Sequence, residues 1–360
     1  MTGWLRDVQL ALGRRWTIAA FAAVAAGGVA FATGLGDDER PATFAALIAS
    51  WLFFAGLAAG ALAFRALFQL IDARWARSLS IFGGAAVGFA PVALLLVTVI
   101  AVGARLAPWL HADPSSTWMS TPVLVVRELA LTAILFACGY VLRRREQASM
   151  PTGALAALYC IAFAIVLSIW AFDVVLGADQ AWESTLVGPF VFVGAFLAGT
   201  GLVTLLALRR GMLAERARGD AAKLVLALAV FWAYLFWSQY LTIWYGNLPD
   251  EAAFALRRAE GGWGVIVLAV IALVFALPFA SLLHPAGRRS SRWLSTLLVL
   301  QLVGLWLVCQ LLIVPSLTPA EAPAIDARDL LVALGLLGAF ALSVARGLER
   351  VPTSLERTSP

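Results

Sequence analysis

Three ionisable side chains lie inside long apolar stretches of the sequence, where any charge needs a physical reason. Arg127 and Glu128 are adjacent, and Asp173 lies in a later stretch. A charge at the centre of a bilayer costs about 3 kcal/mol or more, so such residues pair or mark a site. Three interpretations are open: an Arg127–Asp173 ion pair that joins two helices, a pocket or proton-transfer site, and snorkelling to the membrane surface. Glu128 is about 100° around a helix from Arg127, so we expect one of the two to point into a different cavity.

Spacing gives several polar residues a common depth. Arg127 lies about six residues after the start of its apolar stretch, and Asp173 about four before the end of its own. At ~1.5 Å per residue, both lie roughly 6–10 Å inside the same membrane boundary. Ser238, Gln239 and Tyr240 fall at a similar depth in a third stretch. The sequence therefore predicts a polar cluster in one half of the membrane.

Histidine and cysteine positions bear on redox cofactors. His111 and His284 both lie outside the apolar stretches, so neither is placed to hold a buried haem. Cys138, Cys160 and Cys309 lie in three different stretches without metal-binding spacing, as small apolar side chains do. We expect this chain alone to bind no haem, iron–sulfur cluster or metal. No P-loop, G-x-S-x-G or H-E-x-x-H motif indicates ATP hydrolysis or peptide cleavage.

The elements that position these residues are predicted to be transmembrane helices. The chain has 360 residues, of which 62% are hydrophobic and 13% charged, and its mean hydropathy is +0.90. Continuous Ala- and Leu-rich runs of about 20 residues indicate helices rather than a β-barrel. The sequence predicts an all-α polytopic membrane protein with ten spans. Their approximate bounds are 16–35, 43–64, 79–103, 121–142, 153–177, 184–208, 222–245, 262–284, 293–315 and 329–346.

Charge predicts the orientation. Of the 26 Lys and Arg residues, 20 lie in the two tails and the even-numbered loops, five in the odd-numbered loops, and Arg127 lies in a span. By the positive-inside rule both termini are cytoplasmic, in a bacterial inner membrane. The polar cluster then lies in the outer, periplasmic half. Because the basic residues are spread as topology signals, the net charge of +5 does not indicate nucleic-acid binding.

Small residues and prolines predict how the spans pack. Glycine-rich stretches at 56–60, 83–88 and 194–201 permit close helix approach. Pro91, Pro189 and Pro278 lie within or near the starts of spans, where they can kink a helix and free a carbonyl. The inner half is expected to hold only uncharged polar groups, namely Thr200, Thr204, Ser295 and Gln301. A proton route through the inner half would therefore need water chains.

Aromatic residues are dense in the seventh span. They comprise Trp232, Tyr234, Trp237, Tyr240, Trp244 and Tyr245. Trp and Tyr near span ends often form an interfacial belt, whereas a cluster of rings can also line a site for a flat-ring ligand. Both interpretations are open.

The segment from Phe231 to Glu251, FWAYLFWSQYLTIWYGNLPDE, resembles the signature of the ActF-type membrane subunit of alternative complex III, a bacterial quinol:cytochrome c oxidoreductase. That subunit is grouped with the NrfD/PsrC-like quinone-interacting membrane proteins. Weaker similarities follow Asp173, with Trp182 and Gly188, and precede Arg127. The similarity covers most of the chain, but only the seventh span is specific.

The resemblance implies one membrane domain, residues 1–360, made of two four-helix bundles. Helices 2–5 (43–177) form one bundle and helices 6–9 (184–315) the other, flanked by helices 16–35 and 329–346. The matching site positions are Arg127, Asp173, Gln239, Tyr240 and Asn247. With Glu128, these are the candidate proton-transfer or quinone-pocket residues.

The resemblance also implies partners and cofactors. The partners are an NrfD/PsrC-like membrane subunit, an iron–sulfur subunit, multihaem cytochrome c subunits, a terminal oxidase in some assemblies, and lipid. Haem c and iron–sulfur clusters belong to those subunits, and quinol is the substrate. The periplasmic segments 246–261 and 316–328 are the expected docking surface.

The chain departs from the family in two places. A long His-rich region is replaced by His111 alone, and Val174 stands where a Trp usually follows the aspartate. Two other functions remain open: a secondary transporter that uses Arg127 and Asp173, and a purely structural membrane anchor.

Overall fold

The structure, a computed structural model, describes residues 8–36, 39–106, 117–118, 120–179, 182–318 and 324–348. Within these residues the chain forms helices and no strand, and ten helices are long and apolar enough to cross a membrane. The predicted all-α, ten-span fold is therefore confirmed. We number the helices α1 to α10: Arg14–Thr33, Arg40–Leu70, Arg74–Gly103, Thr121–Gln147, Gly153–Leu176, Val187–Arg209, Glu215–Gly246, Gly261–Leu283, Ser291–Leu317 and Ala327–Leu348. We call outer and inner the faces predicted to be periplasmic and cytoplasmic.

Several helices are longer than their apolar runs. The helix α2 continues past residue 64 to Leu70, α4 continues past 142 to Gln147, and α7 begins at Glu215 rather than at 222. Hydropathy marks only the part of a helix in hydrocarbon. Arg, Glu and Gln are good helix formers, so the helix continues into the interface.

The helix α2 is the centre of the molecule. Its apolar window is entirely buried, and it packs against α3, α5, α6, α9 and α10. The helices α1 and α10 pack closely together, and α10 joins this pair to α2. Since α2 contacts helices from both predicted bundles, it connects them, and their division into two bundles stays a prediction.

Glycines allow a close helix contact between α2 and α6. A Cβ atom added at Gly60 would collide with the Ala195 carbonyl, and one added at Gly199 would collide with the Gly60 backbone. Only glycine allows backbones to approach this closely. The two glycine-rich stretches that contain Gly60 and Gly199 therefore serve packing, as predicted.

Two spans contain a wide helical turn. Residues Ala171–Leu176 of α5 and Ile271–Ala276 of α8 are π-helical. In α8, Pro278 has no N–H for the carbonyl of Val274, and Gln301 Nε2 of α9 donates to that carbonyl at 3.1 Å. The prediction that Pro278 frees a carbonyl is confirmed, and Gln301 satisfies that carbonyl.

A short outer helix, Pro249–Ala259, lies between α7 and α8, and we call it the surface helix. Asn247 ends α7 in a left-handed conformation, with φ of 46°, and its N–H donates to Ile243. Asn tolerates this conformation better than most residues, which explains its place at a helix end. Asn247 thus turns the chain out of the membrane into the surface helix.

Candidate functional site

Arg127 of α4 and Asp173 of α5 form an ion pair near the outer ends of their helices. Arg127 Nε lies 2.7 Å from Asp173 Oδ2, with 10% and 1% of the two side chains exposed. Arg127 Nη1 also donates to the Trp118 carbonyl at 2.9 Å, and the guanidinium carbon lies 3.9 Å from the Trp118 ring centroid. The ion-pair interpretation of these residues is confirmed, whether or not the pair has a further role.

Asp173 lies in the π-helical segment of α5. A π-turn adds one residue to a helical turn, and such turns occur often at functional sites. The segment therefore changes the direction of the Asp173 side chain relative to the regular helix below it.

Glu128 lies beside the same pair. Glu128 and Asp173 both line a cavity of about 30 Å³, walled mainly by apolar side chains of α2, α3 and α4, and large enough for one or two water molecules. No N–H or O–H group of another described residue donates to either carboxylate oxygen of Glu128 or to Oδ1 of Asp173, but the two carboxyl groups lie within hydrogen-bond reach of each other. Arg127 is not among the residues that line this cavity, so the expectation that Arg127 and Glu128 face different cavities stays a prediction. The long Arg127 side chain reaches Asp173 from one side of α4, and Glu128 faces the cavity from the next.

The cluster thus holds two buried carboxyl groups and one guanidinium. The Arg127 charge compensates one carboxylate, and a second carboxylate in hydrocarbon would cost several kcal/mol. The arrangement can hold and release one proton close to the outer face.

One helical turn further into the membrane, α4 and α5 each carry a polar atom without a hydrogen-bond partner in the described part of the chain. Thr132 Oγ1 lies four residues after Glu128 on α4, and Trp170 Nε1 three residues before Asp173 on α5; both atoms are buried without a hydrogen-bond partner in the described residues. Depth and spacing indicated the carboxylates, whereas these two atoms gave no signal in the sequence.

Gln239 and Tyr240 line a different cavity. It is a groove of about 570 Å³ in the outer half, formed by α6, α7, α8, α9 and the surface helix, and we call it the aromatic groove. The residues that line it do not include Arg127, Glu128 or Asp173. The structure therefore separates the predicted polar cluster into two sites at similar depth.

Stacked rings form the walls of the aromatic groove. The rings of Trp182 and Phe254 lie 3.6 Å apart at 14°, and those of Phe190 and Trp232 lie 5.3 Å apart. Trp232 Nε1 is buried and has no hydrogen-bond partner among the described residues. The Gln239 side chain is buried too, and no hydrogen bond joins it to the rest of the described chain. The groove thus combines flat apolar walls with one free polar group, the Gln239 side chain.

The opening of the aromatic groove faces the lipid. Val265, Leu268 and Tyr240 line it, and all three are exposed on the surface of the helices. A molecule dissolved in the bilayer therefore has lateral access to the groove.

Arg258 of the surface helix forms the outer end of the groove, and the sequence did not single it out. Arg258 Nε donates to the Leu311 carbonyl at 2.7 Å, and its guanidinium carbon lies 3.3 Å from the Phe254 ring centroid. Leu311 lies four residues before Pro315, which cannot donate to it. The sequence did contain two clues to this contact: a proline near the end of the ninth span, and a pair of adjacent arginines in the outer loop between the seventh and eighth spans.

Asp179 also joins the surface helix to the outer end of α9. Its Oδ2 accepts hydrogen bonds from Arg257 at 2.6 Å and from Ser316 at 3.0 Å. Burial lowers the pKa of Arg258 to about 9, and nearby Asp179 opposes that shift. Arg258 therefore remains charged at neutral pH.

The inner ends of α2 and α4 carry charges that the sequence analysis placed outside the membrane. Arg65 pairs with Glu146, and Arg143 donates to the carbonyls of Gly84 and Gly347. These charged groups lie beyond the apolar runs of α2 and α4, so the expectation that the inner half of the membrane holds only uncharged polar groups, such as Thr200 and Gln301, stays a prediction. His111 lies outside the described residues.

No protein-family model and no curated protein matches this chain.

Proposed function

We propose that this chain is a non-haem membrane subunit of a respiratory quinol:cytochrome c oxidoreductase of the alternative complex III type. Its membrane would be the bacterial inner membrane, with both termini cytoplasmic. The observation that carries the proposal is the aromatic groove, which opens to lipid and is lined by the Gln239 side chain, to which no other described residue is hydrogen-bonded. The role of the chain would be to support quinol oxidation, proton movement or assembly.

The groove fits a quinol headgroup in size and chemistry. Its volume of about 570 Å³ lies within the range of small-molecule sites, roughly 300–1,000 Å³. A flat ring would lie against the aromatic walls, and Gln239 would hydrogen-bond one of its oxygens. The apolar tail would remain in the bilayer.

Oxidation of a quinol releases two protons and two electrons. The electrons need a haem or a cluster, and the cysteines of this chain lie singly on α4, α5 and α9. Within the described residues, no three His, Cys, Asp or Glu side chains group as metal ligands. Partner subunits would therefore hold haem c and iron–sulfur clusters, docked near the outer segments 246–261 and 316–328.

The protons have an acceptor in the Arg127, Glu128 and Asp173 cluster. It lies in the outer half, as the groove does, and its carboxylate oxygens to which no described N–H or O–H group donates can take up a proton. Proton release on the outer side would then contribute to the membrane potential.

The proposal is tested by purifying the full assembly from native membranes through a tag on this chain. We expect co-purified haem c absorbance and quinol:cytochrome c activity, while the isolated chain shows neither. Gln239→Leu should raise the KM for quinol about tenfold, the effect of losing one hydrogen bond of roughly 1.4 kcal/mol. The neighbouring Ser238→Ala is the matched control and should leave the KM unchanged.

Two results would overturn the proposal. One is an isolated chain that carries stoichiometric haem, and the other is purification without any haem-containing partner. A normal KM in Gln239→Leu, with the complex intact, would remove quinol from the aromatic groove.

Two alternative functions make different predictions. A secondary transporter predicts broken helices at corresponding positions of two repeats, whereas the π-segments lie in α5 and α8, the fourth and third helices of the predicted bundles. A structural anchor predicts that Asp173 matters only for assembly. Solute uptake by the isolated chain in liposomes would favour the transporter.

A further inference from the structure

One face of α7 is exposed along most of its length, and aromatic residues dominate it. The rings of Phe231, Tyr234, Trp237, Tyr240, Trp244 and Tyr245 are all exposed, at intervals of three or four residues apart from the last pair. We call this set the α7 aromatic face. It extends too far inward to be only an interfacial belt, because such belts lie at headgroup level.

Tyr234 is at the wrong depth for a lipid-facing tyrosine. It lies 11 residues from Lys223 and 13 from Asn247, the polar residues that bound the apolar part of α7. At ~1.5 Å per residue, it is roughly 16–20 Å from each end, near the middle of the bilayer. Its side chain is 62% exposed, and its hydroxyl has no hydrogen-bond partner among the described residues. A hydroxyl in hydrocarbon without a partner is costly, which indicates that another molecule supplies one.

Neighbouring rings of the α7 aromatic face contact one another, which holds them in defined orientations. Phe231 and Tyr234 lie parallel within 10°, with centroids 6.3 Å apart, and the centroids of Trp237 and Tyr240 lie 5.6 Å apart. Rigid aromatic anchors lose little conformational entropy on binding and concentrate binding energy. By contrast, the exposed face of α5 carries aliphatic Leu158, Ile161 and Ile165, as is usual toward lipid.

We propose that the α7 aromatic face binds one transmembrane helix of a partner protein. The partner helix would present small residues to the rings and a hydrogen-bonding group to the Tyr234 hydroxyl at mid-membrane. A second copy of this chain fits less well, because two-fold symmetry would place bulky rings against bulky rings and hold the backbones apart. Tyr240 also lines the aromatic groove, so the docked helix would border its opening. This inference rests on the proposed membership of a complex.

The test places a photoreactive benzoylphenylalanine at 234 or 237 in the full complex in native membranes. The control position is Ile161, which is exposed on α5 to a similar extent. We expect crosslinks from 234 and 237, but not from 161, to one span of a single other polypeptide. Trp237→Ala should reduce recovery of that polypeptide about tenfold, as for an interface anchor. Tyr234→Phe should reduce it less, and Ile161→Ala should not reduce it.

Three outcomes would overturn the inference: crosslinks only to lipid, crosslinks to a second copy of this chain, and crosslinks to a segment outside the membrane. Thermal unfolding of the isolated chain is the folding control, because Trp237 is 56% exposed and its loss should leave the fold unchanged. If the complex kept its haem and quinol activity but these crosslinks were absent, the α7 aromatic face would be rejected as a binding surface and the proposed function would stand. Crosslinks without haem or activity would reject the proposed function alone.

Discussion

At the scale of single residues, the Arg127–Asp173 pair and Glu128 form a unit that neither an ion pair nor a lone acid would explain. An ion pair that joins two helices needs only one charge of each sign, and Arg127 and Asp173 supply these charges, with Nε and Oδ2 2.7 Å apart. Glu128 adds a second acid to the same cavity, where an uncompensated negative charge would be costly. The extra carboxyl group destabilises the fold unless it holds a proton, which favours a role in proton exchange.

A pair of variants separates proton exchange from an ion pair that only joins two helices. Asp173→Asn leaves the Arg127 charge buried without a carboxylate partner, which destabilises a protein by about 3–5 kcal/mol. Asp173→Asn combined with Arg127→Gln removes both charges and should recover most of this loss. We expect coupled quinol oxidation to remain low in both variants, measured as turnover and proton release per assembled complex. Recovery of coupled turnover together with stability would assign Asp173 to a structural role only.

Sequence reasoning predicted a common depth for these residues but not their positions around the bundle. Counting residues from a span end gives depth, and by depth Gln239 belongs with Asp173. Lateral position depends on which helices pack together, and the two residues line different cavities.

At the scale of helices, a recurrent device is a side chain that satisfies a carbonyl freed by proline. Gln301 donates to Val274, four residues before Pro278, and Arg258 donates to Leu311, four residues before Pro315. In hydrocarbon an unsatisfied carbonyl costs several kcal/mol, so each proline needs such a partner. In the second case the donor belongs to the surface helix, which is thereby fixed to α9.

A double-mutant cycle tests the link between Arg258 and Pro315. Arg258→Met keeps the packing on Phe254 but leaves the Leu311 carbonyl unsatisfied, and should lower the free energy of unfolding by about 2 kcal/mol. Pro315→Ala supplies an N–H to that carbonyl. In the Pro315→Ala background we expect Arg258→Met to cost about 1 kcal/mol less, measured by denaturant unfolding in one detergent. Strictly additive effects would show that Arg258 does not compensate for the proline.

Helix packing gives a second test at this scale. Gly199→Ala adds a methyl group against the Gly60 backbone, so it should lower the Tm through overpacking of about 1–3 kcal/mol. The control is Gly219→Ala in α7, where an added Cβ meets nothing within 4 Å. It should leave the Tm unchanged or raise it, because alanine favours helix. Equal effects of the two substitutions would contradict the close α2–α6 contact.

The ten spans were predictable because hydropathy reports directly on burial in hydrocarbon. Each predicted span overlaps one helix, and the largest errors lie at the ends of α2, α3, α4 and α7, where segments with charged residues continue the helix. The π-segments, the surface helix and its attachment by Arg258 were not predicted. They depend on contacts between distant parts of the chain, which periodicity does not encode.

At the scale of the whole molecule, burial is distributed unevenly among the ten helices. The central helix α2 is buried throughout its apolar window, whereas only 33% of the α7 window is buried. A helix with so much exposed surface can face lipid without cost if its side chains are aliphatic. Because α7 instead carries tyrosine and tryptophan, its exposure supports our proposal that the molecule is one part of a larger assembly.

Orientation in the membrane decides which way the two outer sites face, and it is tested by cysteine labelling. In a background without Cys138, Cys160 and Cys309, we expect single cysteines at Ala112 and Ala252 to react with a membrane-impermeant maleimide in intact spheroplasts. A cysteine at Ala217, in the first turn of α7, should react only after permeabilisation, because the segment around it, residues 209–223, is rich in basic residues and such segments resist translocation. Ala252 belongs to the surface helix, and Ala112 lies outside the described residues. Reversed labelling would place the carboxylate cluster and the aromatic groove on the cytoplasmic side, where quinol oxidation could not release protons outward.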